Sequence, residues 1–149
     1  MRLFILTIIL MLFCLYSFHN MIIKLVFHKN PTNSNIYIKK SDKGGKLGRG
    51  VFASKDFNVG EIIELSPYIE DDMENFKGVM RDYVFKKDNK AIAVLGYVSL
   101  CNHMDEPNAL WQIIDSNFVI IARYVIKKDE EIFISYGTGY WDSRNLEKL

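Results

Sequence analysis

The sequence predicts a mainly β domain of many short strands, preceded by an apolar N-terminal helix. Three observations predict it. Runs rich in Val, Ile, Phe and Tyr recur from Ile36 onward, most of them bounded by turn residues. Helical periodicity of any length is scarce over the same stretch. Ahead of it, Leu3–Phe18 is almost continuously apolar, broken only by Thr7, Cys14 and Ser17.

The 149 residues suit one domain. Hydrophobic residues make up 49% and charged residues 25%, enough for a core without disorder. The net charge of +1 hides an asymmetry: residues 1–30 hold three bases and no acid, while the remaining 119 hold 16 bases and 18 acids. A mildly acidic body argues against nucleic-acid binding, which needs a clustered basic face. It suits a basic peptide better. Cys14 and Cys101 belong to no CxxC or Cys/His spacing, so neither structural zinc nor a disulfide framework is expected, and a reducing compartment is the simpler setting.

At the N-terminus, His19-Asn20 interrupts the apolar run and Met21–Phe27 resumes it around Lys24. About 20 apolar residues cross a bilayer core. Leu3–Phe18, resumed by Met21–Phe27, makes a segment just long enough to anchor the chain in a membrane, with Tyr16 at the interface. A cleaved signal peptide is the rival reading, but no small-x-small cleavage site follows. Initiation at Met21 would give a soluble or nuclear form without the anchor. For the anchored form, the basic excess of Lys24, Lys29, Lys39 and Lys40 over Arg2 favours a cytosolic body.

Residues 1–29 are thus read as the anchor or signal-like segment, and the polar, turn-rich Asn30–Asn35 as a linker. Strands are predicted at Ile36–Lys40, Gly50–Ser54, Ile62–Ile69, Ala91–Leu95, Leu110–Ile114, Phe118–Val125 and Ile132–Ser135. Asp115-Ser116-Asn117 reads as a hairpin turn. Asn58–Glu61 and Lys128–Glu131 read as similar turns, each launching a strand. Asp71–Met80 has room for a turn or two of helix, and Asp142-Ser143 is placed to cap a short terminal one.

Three islands carry chemistry. Lys43–Phe52 (KGGKLGRGVF) packs four glycines into seven residues before a strand, which allows positive φ and close backbone approach to a ligand. Taken alone, it reads as a plain glycine-rich hairpin, because the context of a dinucleotide or Walker loop is missing. Cys101–Ala109 (CNHMDEPNA) is a polar island between apolar runs, with Asn102 and His103 able to grip a polar ligand. Taken alone, it is a turn. Glu130–Tyr140 (EEIFISYGTGY) delivers Tyr136 from an alternating strand onto a Gly-flanked turn. A core aromatic with a satisfied hydroxyl is the bland account.

In this order and spacing, GRGVF, NHxxxPNA and EEIxISYG resemble the SET-domain protein lysine methyltransferases, most of all the minimal viral type. The resemblance runs from about Ile36 to Trp141, leaving 142–149 as a short tail. It implies a fold of short strands in several small sheets, with the closing segment threading past the Asn-His segment as a pseudoknot. It also implies an S-adenosylmethionine site, with Gly48, Arg49 and Gly50 lining the pocket, Asn102 and His103 gripping the cofactor, and Tyr136 as the catalytic phenol. Tyr140 falls where relatives place a residue that affects how many methyls fit, and Tyr83 is a second candidate wall of the lysine channel. Met104 stands where the family usually has serine. No cysteine-rich zinc lid follows, and Trp141 is the nearest aromatic to cover the adenine in its place; plain C-terminal packing is the alternative.

The expected activity is transfer of a methyl group to a lysine of a basic protein, such as a histone tail. The acidic stretch Glu61, Glu64, Glu70, Asp71, Asp72 and Glu74 would attract such a partner, or would simply be a solvated loop. Small viral relatives pair, so a homodimer is expected by the same likeness. The alternative is a catalytically silent, membrane-tethered module that binds a partner protein.

Overall fold

The structure, a computed structural model, describes residues 11–16, 35–43, 48–137, 139–142 and 144. It divides into two units, Met1–Thr32 and Asn33–Leu149. In the first, residues 11–16 form a helix, α1. The rest of the proposed anchor lies outside the described residues, as do residues 44–47 of the glycine-rich loop and Ser143. Among the described residues, no helix is long and apolar enough to cross a membrane.

Among the described residues, the second unit holds ten short strands in three small sheets, the mainly β class that the sequence predicts. In the first sheet, β1 (Ile36–Lys40) pairs with β2 (Arg49–Ala53), β2 with β10 (Glu131–Ile134), and β10 with β7 (Asn102–His103). β10 is antiparallel to β2 but parallel to β7, with Phe133 opposite Asn102 and Ile134 opposite His103. The closing segment therefore runs between the glycine-flanked strand and the Asn-His segment. The second sheet has the order β3 (Ile62–Ser66), β9 (Asn117–Ala122), β8 (Ala109–Ile114); the third has β4 (Tyr68–Asp71), β6 (Lys90–Val94), β5 (Val84–Lys87).

Local chemistry explains most of these elements. Asp115 and Ser116 both take positive φ (46° and 64°), the conformation of a two-residue turn closing β8 onto β9, and Asn117 donates back to the Asp115 carbonyl. The two similar turns are matched in detail. Glu61 accepts from the Asn58 amide and Glu130 from the Lys127 amide, and Phe57 and Ile126 bridge the paired segments through reciprocal backbone bonds. β10 alternates, burying Ile132 and Ile134 completely. With Val51, Ala53, Phe57, Ile92, Val98, Phe118, Ile120 and Ile126 they form the main core.

Several boundaries differ from the sequence reading. The single strand expected over Ile62–Ile69 is two strands in different sheets, because Pro67 has no N–H for a ladder and ends β3. The strand expected to reach Val125 stops at Ala122, where the chain turns towards the Ile126 bridge. β5 was not expected, since Lys86, Lys87 and Asp88 disguise its polar end. Helical turns occupy Met73–Asn75, Gly78–Tyr83 and Tyr97–Leu100. A short helix, α2, spans Gly139–Asp142; the terminal helix expected after an Asp142-Ser143 cap lies outside the described residues.

Candidate active site

The three sequence islands meet through one carboxylate. Asn102, almost fully buried, donates from Nδ2 to Glu131 Oε1 at 2.6 Å and to the Arg49 carbonyl at 2.9 Å, with Ser41 Oγ 3.3 Å away. Ser41 donates to Glu131 Oε2 at 2.8 Å. Gly50 lies directly beneath: a Cβ there would fall 2.1 Å from Glu131 Oε1 and 3.0 Å from Asn102 Nδ2. Gly50 is thus required by its neighbours' side chains, independently of any ligand. Gly48 has φ +57°, the left-handed region that favours glycine, with open space beside it, and the Arg49 side chain points to solvent. Asn108 fixes β10 from the other side, donating to the Glu131 carbonyl and accepting from the Phe133 amide, both at 2.8 Å.

His103 holds the turn that carries Tyr136. Its Nδ1 accepts from the Tyr136 amide at 3.2 Å, and Nε2 faces Asp105 Oδ1 at 3.2 Å. With Nδ1 accepting, Nε2 is the ring nitrogen placed to donate towards Asp105. The Tyr136 hydroxyl donates to the Cys101 carbonyl at 2.8 Å. Burial, then the nearby Tyr140, Cys101, Tyr83 and Glu131, pushes the phenol well above the ordinary tyrosine range. It therefore stays protonated and is a poor base. Burial, with Glu64 and Glu131 close by, likewise pushes the Cys101 thiol up and keeps it neutral.

Four rings enclose this point. Tyr136 lies 4.5 Å from Tyr140, 5.3 Å from His103 and 6.0 Å from Trp141, centroid to centroid. Trp141 also packs edge-on to His103 and Tyr140, and its Nε1 is buried with no hydrogen-bond partner among the described residues. The Tyr140 hydroxyl donates to the Asp82 carbonyl at 3.3 Å, and Tyr83 is near enough to raise both phenols. Of the candidate site residues, Gly50, Asn102, His103, Tyr136, Tyr140 and Trp141 thus lie together, with Tyr83 beside the two phenols; the Arg49 side chain does not join them.

Sequence reasoning missed Ser41, Asn108 and the carboxylate of Glu131, and it misread Glu64. Glu64 is not part of an acidic surface: only 1% exposed, it accepts from the amides of Tyr97 (2.9 Å) and Val98 (2.7 Å). It thereby holds the start of the turn that leads into Cys101–His103. A side chain on Gly96 would collide with Glu64 and Ser66. The only sequence signal was Glu64 standing in an otherwise apolar strand. Of the other acids, Glu61 pairs with Lys55 and Asp72 with Lys90. Glu70, Asp71, Asp72 and Glu74 are exposed, so the stretch keeps an acidic surface from which Glu64 alone is withdrawn.

Comparisons with known proteins agree with this geometry. A family profile, the SET domain, matches residues 48–137. The crystal structure of a Plasmodium falciparum candidate histone methyltransferase is 37% identical with a TM-score of 0.61; the match covers 72% of this chain and 96% of that one. Two Chaetomium thermophilum structures share the fold at lower identity. The polycomb repressive complex 2 crystal structure is 20% identical (TM-score 0.58, 69% of this chain), and a humanized mutant of that complex bound to the inhibitor GSK126 is 23% identical (TM-score 0.55, 68% of this chain). Each match covers 15% of those longer chains. Comparison with curated proteins gave no match.

Proposed function

The chain belongs to the SET-domain family, and from that premise we propose that it transfers a methyl group from S-adenosylmethionine to the ε-amine of a lysine in a basic protein. The observation that carries this reading is the placement of a protonated phenol, Tyr136, among aromatic rings at the end of the strand paired with Asn102–His103. The described residues fit the cofactor. Clustered aromatic side chains suit a sulfonium, and Trp141 Nε1, buried and without a partner among the described residues, is a donor in want of an acceptor. Asn102, His103 and Trp141 would hold it, with Asn102 contributing mainly backbone because its amide nitrogen already serves Glu131 and Arg49.

When bound, S-adenosylmethionine supplies an electrophilic methyl group on a positively charged sulfur. The protein must present a neutral amine to it, although a free lysine has a pKa near ~10.4. Tyr83, Tyr136 and Tyr140 form apolar walls that disfavour the ammonium by desolvation. With its proton committed to the Cys101 carbonyl, the Tyr136 oxygen presents lone pairs to the incoming amine and orients it. The ammonium proton passes to solvent as the amine enters the channel, so no dedicated side-chain base is required, and alignment of the neutral amine is worth roughly 7–11 kcal/mol. Tyr140, held by its bond to the Asp82 carbonyl, narrows the space around the amine and favours the lower methylation states.

The reading extends to location and partners. A histone tail fits as substrate if the chain reaches the nucleus in a form starting at Met21; an anchored form would act on another basic protein at the membrane. A measured mass of the mature protein separates the two. The activity is tested by incubating the purified chain with methyl-labelled S-adenosylmethionine and lysine-rich proteins, then locating the label by mass spectrometry. Label on lysine supports the proposal. Cofactor binding without transfer to any protein favours the silent binding module instead, and no cofactor binding removes the enzymatic reading.

A further inference from the structure

We propose that Arg144 is a positioning residue for the lysine channel: it clamps Tyr140 against the Gly78–Tyr83 segment and so sets the space available to the methylated amine. The inference rests on the methyltransferase reading above, but it concerns a residue beyond the 48–137 stretch that the family profile matches.

The guanidinium makes contacts in four directions. Nη2 donates to the Arg81 carbonyl, and Nη1 donates to the Tyr140 carbonyl at 3.3 Å. Nε lies 3.4 Å from Asp82 Oδ1. The Cζ atom sits 4.0 Å from the centroid of the Tyr140 ring, a cation–π distance. The side chain is only 9% exposed, although the Asp82 carboxylate is about half exposed. Tyr140 completes the loop by donating from its hydroxyl to the Asp82 carbonyl.

The clamp thus joins two segments far apart in sequence, each carrying one candidate wall: Tyr83 on one, Tyr140 on the other. Neither has strong local reasons to stay in place. Gly78–Tyr83 is a 3₁₀ segment with no buried residue, and α2 is a single turn. A planar, multiply donating cation suits this job, whereas lysine is a single point charge. Lysine at 144 would retain attraction to Asp82 but could not grip two carbonyls and lie flat on a ring at once.

The test uses the full chain as wild type, R144K, R144A, Y140F and the R144A/Y140F double variant. Each is assayed with a lysine-rich protein for kcat, KM, the ratio of mono-, di- and trimethylated product, and the dissociation constant of S-adenosylmethionine. Misplacement by about 1 Å can cost on the order of 100-fold. R144A is therefore expected to lower kcat/KM by about tenfold or more and to shift product towards higher methylation, with R144K between it and wild type. Cofactor affinity should stay within about twofold, which separates a loosened wall from a misfolded domain. R144A should add little to the product shift of Y140F, since both act through one ring. Wild-type product ratios and kcat/KM in R144A and R144K would overturn the inference while leaving the methyltransferase reading intact. A wild-type chain that binds S-adenosylmethionine but methylates nothing would instead overturn that reading, and the role of Arg144 with it.

Discussion

Replacing Gly50 with alanine tests whether the three motifs are joined through the Glu131 carboxylate. The added methyl would lie 2.1 Å from Glu131 Oε1 and 2.8 Å from its Cδ, so the carboxylate has to move. Moving it breaks the bonds from Asn102 (2.6 Å) and Ser41 (2.8 Å). Hydrogen bonds to a charged group contribute roughly 1.5–3 kcal/mol each. Because this site is only partly buried, the lower figure applies, and two bonds give a loss of about 3 kcal/mol. That corresponds to on the order of 100-fold in the folded-to-unfolded ratio and is a large share of a typical domain's stability. The assay is urea unfolding of wild type, G50A, E131A and the double variant, monitored by tryptophan fluorescence. In the E131A background the obstructing carboxylate is gone, so G50A should cost less than about 1 kcal/mol there. A cost below about 0.5 kcal/mol in the wild-type background would refute the reasoning, as would the same cost in both backgrounds.

Two further outcomes follow from buried groups. Glu64→Gln puts an NH2 group where a carboxylate oxygen accepts a backbone amide, leaving a buried donor unmatched. It should destabilise the domain by about 1–3 kcal/mol and weaken S-adenosylmethionine binding, because the turn it holds leads into Asn102–His103; unchanged melting and affinity would show that Glu64 holds nothing. Tyr136 gives a pH effect. Its phenol is raised above the ordinary tyrosine value of about 10, mainly by burial. The stabilisation from that shift is fully present below about pH 10 and is lost as pH rises towards the folded-state value. The urea midpoint of wild type should therefore fall more steeply above about pH 10 than that of Tyr136→Phe, and parallel curves would contradict a buried phenol.

What the sequence made legible was mostly local. Alternation at Ile132 and Ile134, the Asp115-Ser116 turn and the Asn58–Glu61 turn appear where residue chemistry placed them, while the matching second turn runs Lys127–Glu130, one residue earlier than expected. The motif residues Asn102, His103, Tyr136, Tyr140 and Trp141 also lie together. What was hidden depends on distant partners. β7 is two residues long and exists only because β10 runs parallel to it. Glu64 looks like a surface acid until the amides of Tyr97 and Val98, more than thirty residues on, are brought to it. Arg144 reads as one charge in a polar tail, since Arg81 and Asp82 are over sixty residues away in sequence. The break at Pro67 was legible and was outweighed by the apolar residues on both sides.

The central claim is that the Tyr136 phenol orients a substrate amine at a methyl-transfer site, and one comparison tests it most directly. Wild type and Tyr136→Phe are assayed side by side for the dissociation constant of S-adenosylmethionine and for transfer of labelled methyl to a lysine-rich protein. Removing the hydroxyl leaves the ring stack in place but takes away the oxygen that faces the amine. The account predicts cofactor affinity within about twofold of wild type and transfer reduced by on the order of 100-fold. Transfer at the wild-type rate with phenylalanine at that position would contradict it.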